Sequence, residues 1–123
     1  MSGCVILESP YAASNGFTIQ QHVRYARMCM ADCLRKGEAP LASHLLYTQP
    51  EVLRDDVEEE RAMGIAAGLQ WGAICDYVVV YTDLGISKGM KLSVEMYREM
   101  NKEIHLRSLP GWPTTNTTEE SDD

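Results

Sequence analysis

The stretch YVVVYTDLGISKGM, residues 77 to 90, decides the fold class. It begins with five consecutive apolar residues, three of them valine, which is typical of a strand covered on both faces. A bend with Gly85 follows, and the residues after Ser87 have the pattern of a helix. Such a bend either exposes unpaired N–H groups to an anion at the positive end of the helix dipole or forms an ordinary capped turn.

The rest of the chain repeats this alternation of strand and helix. Further strands are predicted at 4–7, 39–43 and 104–106, and helices at 19–36, about 57–73 and 90–100, with a long connection from 44 to 56. The alternation predicts a flavodoxin-like three-layer α/β/α fold whose four parallel strands have the order 2-1-3-4. We assign residues 1–110 to one domain and expect 111–123 to be an acidic, mobile C-terminal tail.

Composition limits the classes of function. The chain has 123 residues and a formal net charge of −7 without a basic stripe, which argues against binding to polymeric nucleic acid. It has no apolar run of membrane-spanning length and no signal-peptide pattern, so we expect a cytoplasmic protein without a membrane partner. The four cysteines lack the spacing of a metal site, and we interpret them as reduced thiols.

Ligands of such sheets bind beyond the carboxyl ends of the strands, at the switch point between the first and third strands. That rule selects residues after strand one, after strand two and within the stretch 82–90. The candidate ligand-binding residues are Ser9, Tyr11, His44, Asp83, Ser87, Gly89 and Met90.

Two carboxylates at strand ends, Glu8 and Asp83, are candidate catalytic groups, because they can bind ribose hydroxyls or transfer protons. Each is also compatible with a solvated acid at the rim of the sheet. His44 is interpreted either as a base or phosphate contact or as a structural histidine. Arg61, one turn into the second long helix, can reach a phosphate or a neighbouring acid.

The second long helix is apolar over a broad arc. Its apolar residues are Met63, Ala66, Ala67, Trp71 and Ile74 on one side and Ile65 and Leu69 on another. A helix of this kind is either deeply buried or covered by a second subunit.

Several short motifs occur in a characteristic order along the chain. They are ESPY at 8–11, ASHLLY at 42–47, the ER pair at 60–61, CDYVVVYTD at 75–83 and SKGM at 87–90. With them, residues 4 to 107 resemble the nucleoside 2-deoxyribosyltransferase-like superfamily, and most closely its small uncharacterised phage and prophage members. The resemblance implies a flavodoxin-like fold, a homodimer or higher oligomer, a pocket for small-molecule nucleosides or nucleotides, and no cofactor.

The resemblance also implies a mechanism, in which a glutamate early in the helix after the Ser/Gly loop attacks C1′ of the sugar. The matching position holds Ser93, and Glu95 lies about 200° around the helix from it. In the enzymes of the superfamily, an aspartate of the second helix assists the base or sugar, and the matching position of this chain is Gly68. The absence of both carboxylates favours a protein that binds a nucleotide without catalysis. In a phage, such a protein could sequester a nucleotide signal of host immunity. The alternatives are an N-glycosidase or deoxyribosyltransferase that uses Glu8 or Asp83, and a structural protein.

Overall fold

The computed structural model describes residues 3–112 as a four-stranded parallel sheet with helices on both faces. The strands are β1 (Gly3–Glu8), β2 (Glu38–Leu41), β3 (Tyr77–Tyr81) and β4 (Ile104–Arg107), and the helices are α1 (Ile19–Arg35), α2 (Ser43–Leu46), α3 (Glu58–Ile74) and α4 (Lys88–Glu99). The strand order β2-β1-β3-β4 confirms the predicted order. Of the predicted tail, residues 113–123 lie outside the described part.

β3 is the strand that the sequence identified most clearly, and all five of its residues are buried. It lies between β1 and β4, so both of its edges are paired and both of its faces are covered. A continuous apolar run without alternation is the pattern that such a position requires.

The sheet separates two apolar clusters, because successive side chains of a strand point to opposite faces. On one face, Val5 and Leu7 of β1 pack with Tyr25 of α1. On the other face, Ile6 packs with Val94 and Tyr97 of α4. Glu8 has the same parity as Ile6, and its side chain therefore belongs to the face that α3 and α4 cover.

Local signals set the helix ends. Thr18 caps α1 through its Oγ1, which accepts a hydrogen bond from the amide of Gln21 at 3.1 Å. Gly37, with a φ of 83°, follows the C-cap in the left-handed conformation that glycine adopts most easily. Ser87 caps α4, because its Oγ accepts from the amide of Met90 at 3.2 Å. The sequence offered Ser87 or Gly89 for this cap, and Ser87 has the role.

The α1 face contains a buried ion pair that the sequence did not reveal. Arg107 of β4 donates from Nη1 and Nη2 to the two carboxylate oxygens of Glu38, each at 2.8 Å. The hydroxyl of Tyr77 donates to the same carboxylate. Arg107 also donates to the hydroxyl of Tyr81, which in turn donates to Asp32 of α1 at 2.6 Å. The network joins β2, β3, β4 and α1 through charge-assisted hydrogen bonds.

The sequence analysis missed the short helix α2, which begins at Ser43, at the end of the predicted strand 39–43, and extends into the predicted connection 44–56. The observed strand β2 is Glu38–Leu41. One helical turn is too short for a periodic pattern to distinguish it from a loop. Among residues 3–112, no helix is both long and apolar enough to cross a bilayer.

Candidate functional site

A cavity of about 390 Å³ lies on the face of the sheet that α3 and α4 cover, next to the end of β1. Its volume lies within the usual range of small-molecule sites. The walls come from the loop after β1, from α2 and the segment that follows it, from α3 and from the first three turns of α4. The lining includes Glu8, Ser9, Tyr11, Ser43, His44, Glu60, Arg61, Gly68, Ser87, Lys88, Gly89, Met90, Ser93 and Tyr97.

Most of the residues that the sequence selected line this one cavity. They are Glu8, Ser9, Tyr11, His44, Ser87, Gly89 and Met90. They come from three separate parts of the chain, which the parallel sheet brings to the same edge. The geometry agrees with the rule that placed a ligand at the switch point between β1 and β3.

Asp83 is the selected residue that lies outside the lining. Its Oδ2 accepts hydrogen bonds from the hydroxyl of Tyr25 at 2.7 Å and from the amide of Leu109 at 2.9 Å. Its own amide donates to the same Tyr25 hydroxyl at 2.9 Å. Asp83 thus ties the end of β3 to α1 and to the segment after β4. The carboxylate of Asp83 therefore joins elements of the fold, and its catalytic or ligand-binding role remains a prediction.

Glu8 is the last residue of β1 and is only 9% exposed. Within residues 3–112 its carboxyl has no hydrogen-bond or ion-pair partner, and burial raises its pKa to about 8. The group is therefore a neutral carboxylic acid at neutral pH. Burial raises the pKa of the Tyr97 phenol, and the next largest cause is the negative charge that Glu8 carries when it is ionised.

Ser9 and His44 form a hydrogen-bonded pair, with Oγ and Nε2 2.7 Å apart. Burial, followed by the nearby His22, lowers the pKa of His44 to about 4, so the imidazole is neutral. His22 is itself fully buried, and its Nδ1 lies 3.0 Å from the carbonyl oxygen of Ala12. Because a carbonyl only accepts, Nδ1 carries the proton and holds the loop after β1 in place.

The start of α4 forms another polar part of the cavity wall. Ser87, Lys88 and Gly89 line it, together with Arg61 of α3. A Cβ added to Gly89 would lie 3.3 Å from Nη2 of Arg61, so the guanidinium is next to the first turn of α4. The unpaired first N–H groups of a helix and two cationic side chains favour an anion here.

The positions of the expected catalytic acids are also clear. Ser93 lines the cavity, whereas Glu95 is exposed and is not part of the lining. Gly68 is buried, and a Cβ added to it would lie 2.8 Å from Oγ of Ser43. The hydroxyl of Tyr97 also donates to the Gly68 carbonyl at 3.4 Å. An aspartate at position 68 would therefore require Ser43 to move.

Sequence reasoning missed several lining residues. Ser43, Tyr47 and Thr48 lie in or next to α2, the helix that was interpreted as a connection. Tyr97 carried a usable signal, because it follows Ser93 by four residues and so lies on the same helix face. Within residues 3–112, no three His, Cys, Asp or Glu side chains are grouped so that they could hold a metal ion.

A family model described as a domain of unknown function, DUF7768, matches residues 3–107. The chain belongs to this family. A search of curated proteins found no match.

Among solved structures, the chain is similar to a 2-deoxyribosyltransferase from the psychrotolerant bacterium Bacillus psychrosaccharolyticus. The TM-score is 0.58 at 16% sequence identity, and the match covers 91% of this chain and 77% of the other. At this identity the likeness shows the fold. It supports the predicted flavodoxin-like fold, and the resemblance to the nucleoside 2-deoxyribosyltransferase-like superfamily and to its phage and prophage members remains a prediction.

Proposed function

We propose that the cavity binds a small-molecule nucleoside or nucleotide and that the protein does not form a covalent bond to the sugar. The observation that supports this most is that one cavity lining combines two different kinds of polar group. Arg61 and the start of α4 suit a phosphate, and Glu8 offers hydrogen bonds at the end of β1. A nucleoside monophosphate has a complementary charge at one end and a hydrogen-bonding base at the other.

The absence of a covalent step is supported by the residues that face the cavity from α3 and α4. A glycosyl–enzyme intermediate needs a carboxylate next to C1′, and the lining holds Ser93 and Gly68 at the two positions concerned. Glu95 is two residues from Ser93 but projects away from the cavity. The residues of the cavity wall therefore fit binding better than they fit catalysis at the sugar.

The first test is to mix purified protein with a panel of nucleosides and nucleotides, filter it, denature the retained protein and analyse both fractions by HPLC. A nucleotide that is missing from the filtrate and recovered intact from the protein supports the proposal. If nothing is retained, the proposal fails.

The anion end is tested with Gly89→Val. The added side chain displaces the Arg61 guanidinium and covers the first N–H groups of α4, so we expect the affinity for a nucleoside monophosphate to fall about tenfold. The matching nucleoside, which lacks the phosphate, serves as the control and should bind equally well to both proteins. Equal affinity of the two proteins for the monophosphate contradicts a phosphate site at this end.

A second candidate function is cleavage or exchange of the N-glycosidic bond, with Glu8 as the acid. A specific observation favours it, since a buried carboxylic acid with a pKa of about 8 keeps a proton to give to a departing base. In the HPLC assay this function appears as free base that accumulates with time. Glu8→Gln should then stop base release while Glu95→Gln, on the exposed side of α4, does not.

We further propose that the protein acts in the cytoplasm as a homodimer or higher oligomer. The observation behind the oligomer is the outer side of α3, where Met63 is 60%, Trp71 40% and Ile74 72% exposed. Apolar side chains along one helix face favour contact with another protein surface. Light scattering coupled to size exclusion should give at least the mass of a dimer, and Ile74→Glu should reduce it to that of the monomer.

The proposed biological role is sequestration of a nucleotide, in a phage or prophage setting a nucleotide signal of host immunity. A sequestering protein must hold its ligand intact. The lining supports this role, because Ser93 and Gly68 occupy the positions where a carboxylate would act on the sugar. The ligand recovered from protein expressed in an infected host tests the role. Recovery of free base alone contradicts it.

A further inference from the structure

Two cysteines lie side by side at the end of the sheet where β1 and β3 begin, opposite the cavity. Cys4 is the second residue of β1, and Cys75 lies between α3 and β3. The amide of Asp76, the residue after Cys75, donates to the carbonyl of Cys4 at 2.7 Å. The Asp76 carboxylate in turn accepts from the Cys4 amide at 2.9 Å. These two bonds hold the backbone of Cys75 against that of Cys4.

Both cysteine side chains belong to the same face of the sheet. Successive side chains of a strand alternate, so Cys4 shares the α3 and α4 face with Ile6. Cys75 packs in the apolar cluster of that face, which also contains Ile6. Neighbouring strands lie about 5 Å apart, and disulfides join Cα atoms about 4.4 to 6.8 Å apart. The backbone therefore holds the two residues at a separation that a disulfide spans.

The two thiols differ in exposure. Cys4 is exposed, so a reagent in solution can reach it, whereas Cys75 is only 6% exposed. Burial raises the pKa of the Cys75 thiol, the charge of an ionised Cys4 raises it further, and the ammonium of Lys102 opposes both. The same ammonium donates to the Cys75 carbonyl. An accessible thiol beside a second thiol that can displace its adduct is the arrangement of redox-sensing cysteines.

Cys29 and Cys33 of α1 provide the contrast. Both are completely buried on the opposite face of the sheet. The Sγ of Cys33 lies 3.5 Å from the hydroxyl of Tyr81 and accepts from Nη1 of Arg107 at 3.7 Å. A reagent in solution cannot reach these two thiols in the folded protein, so oxidation should distinguish the two pairs of cysteines.

We propose that Cys4 and Cys75 form a redox-sensitive pair that closes to an intramolecular disulfide in the presence of a small-molecule disulfide such as oxidised glutathione. The Cys4 thiolate attacks one sulfur of the reagent, forms a mixed disulfide and releases one glutathione thiolate. The Cys75 thiolate then attacks the Cys4 sulfur and releases the second. The protons of the two cysteines pass to the two released thiolates, so two protein thiols are oxidised and one reagent disulfide is reduced.

The new bond joins the start of β1 to the segment after α3. These two elements carry Glu8 and Arg61, which line the cavity at the other end of the sheet. In a reducing compartment such disulfides are usually transient and respond to redox conditions. Because the two thiols lie outside the cavity lining, their oxidation does not depend on the proposed nucleotide binding.

The experiment treats the full chain with oxidised glutathione, blocks the remaining thiols with iodoacetamide in denaturant, and measures the intact mass and the tryptic peptides by mass spectrometry. The proteins compared are wild type, Cys4→Ser and Cys75→Ser. Cys4 is exposed, so Cys4→Ser should keep the fold, and thermal melting checks this for both variants. Cys29 and Cys33 are the internal controls in every sample.

The wild type should lose two of its four alkylatable thiols and show one disulfide between the peptides of Cys4 and Cys75. Dithiothreitol should restore all four. Cys75→Ser should accumulate the mixed disulfide of Cys4 with glutathione, because the thiol that displaces glutathione is missing. Cys4→Ser should keep its three remaining thiols reduced.

Three outcomes overturn the proposal. If the wild type accumulates the mixed disulfide to the same extent as Cys75→Ser, Cys75 does not reach Cys4. If Cys29 or Cys33 is oxidised as readily as Cys4, the reaction reports unfolding and not the pair. If all four wild-type thiols stay free, the pair does not respond to a disulfide. None of these outcomes changes the HPLC test of nucleotide binding, so the two proposals fail separately.

Discussion

Two glutamates are buried against opposite faces of the same sheet, and their surroundings differ completely. Glu38, on the α1 face, receives hydrogen bonds from both terminal nitrogens of Arg107, which together with the Tyr77 hydroxyl outweigh burial and lower its pKa to about 2. Glu8, on the α3 and α4 face, has no such partner within residues 3–112, and burial raises its pKa to about 8.

The difference separates an acid that stabilises the fold from one that is available to a ligand. A buried charge is tolerated when it is paired and hydrogen-bonded, as Glu38 is. A buried acid without a partner stays neutral and leaves its hydrogen-bonding groups unused until another molecule provides partners. The same residue type therefore has opposite consequences on the two faces of one sheet.

The largest expected effect comes from removing the partner of Glu38. Arg107→Met leaves a buried carboxylate unpaired, and we expect the free energy of unfolding to fall by about 3 to 5 kcal/mol. Urea denaturation at neutral pH measures this change. Arg54→Met is the control, because the ion pair of Arg54 with Asp56 is exposed, and its midpoint should not move. A loss in Arg107→Met no greater than in the control contradicts a stabilising role for the network.

The opposite effect is expected at Glu8. Since its pKa is raised from 4.5 to about 8, the unfolded state ionises first, and stability falls as the pH rises between these values. Glu8→Gln removes this loss and should raise the free energy of unfolding at pH 7 by at most about 3 kcal/mol. Denaturant titrations at about pH 5 and about pH 8 should show the gain mainly at the higher pH. A gain that is equal at both contradicts a raised pKa.

The dependence of stability on pH in acid tests the role of Glu38. The lowered pKa of Glu38 contributes stability that is present above its ordinary value of 4.5 and is lost as the pH falls toward about 2. The pKa of His44 is lowered to about 4, so its neutral form contributes stability that is lost as the pH falls from 6.5 toward 4, and between pH 4.5 and 6.5 this opposes the effect of Glu8. We therefore expect wild-type stability to fall in acid as well as toward pH 8, with a broad maximum between these two limits. Glu8→Gln should flatten the alkaline side and leave the acid side unchanged. Circular dichroism during urea titration at a series of pH values measures both slopes.

The smallest effect is expected from Tyr77→Phe, which removes one donor from Glu38 and leaves both bonds from Arg107. The expected loss is about 1 kcal/mol in the free energy of unfolding. Tyr11→Phe, on the half-buried rim of the cavity, is the matched control and should leave stability unchanged. A larger loss in the control would mean that the cavity face, too, depends on polar contacts for its stability.

Much of the fold was predictable because its signals are local. The apolar run from Tyr77 to Tyr81 and the caps at Thr18 and Ser87 depend on neighbouring residues in the chain. The cavity was predictable in outline, because ligands bind at the carboxyl ends of parallel strands. Glu8 and His44 were selected by that rule alone.

The sequence could not distinguish side chains for which distant parts of the chain compete. Asp83 and Glu8 both lie at or just past the end of a buried strand, and the sequence ranks them as equals. In the structure, Asp83 is engaged by Tyr25 of α1 and by Leu109, whereas Glu8 has no such partner within residues 3–112. The helix α2 was missed for another reason, since one turn leaves no periodic pattern.

The sequence by itself determined the order of helices and strands, the parallel sheet and the edge where the cavity forms, because these follow from hydrophobic periodicity and capping within short windows. Only the tertiary structure decided which acid is paired and which has no partner within residues 3–112, since pairing joins residues such as Glu38 and Arg107, 69 positions apart in the chain. Burial and hydrogen bonding across such distances set the pKa of each carboxyl, and no local pattern records them.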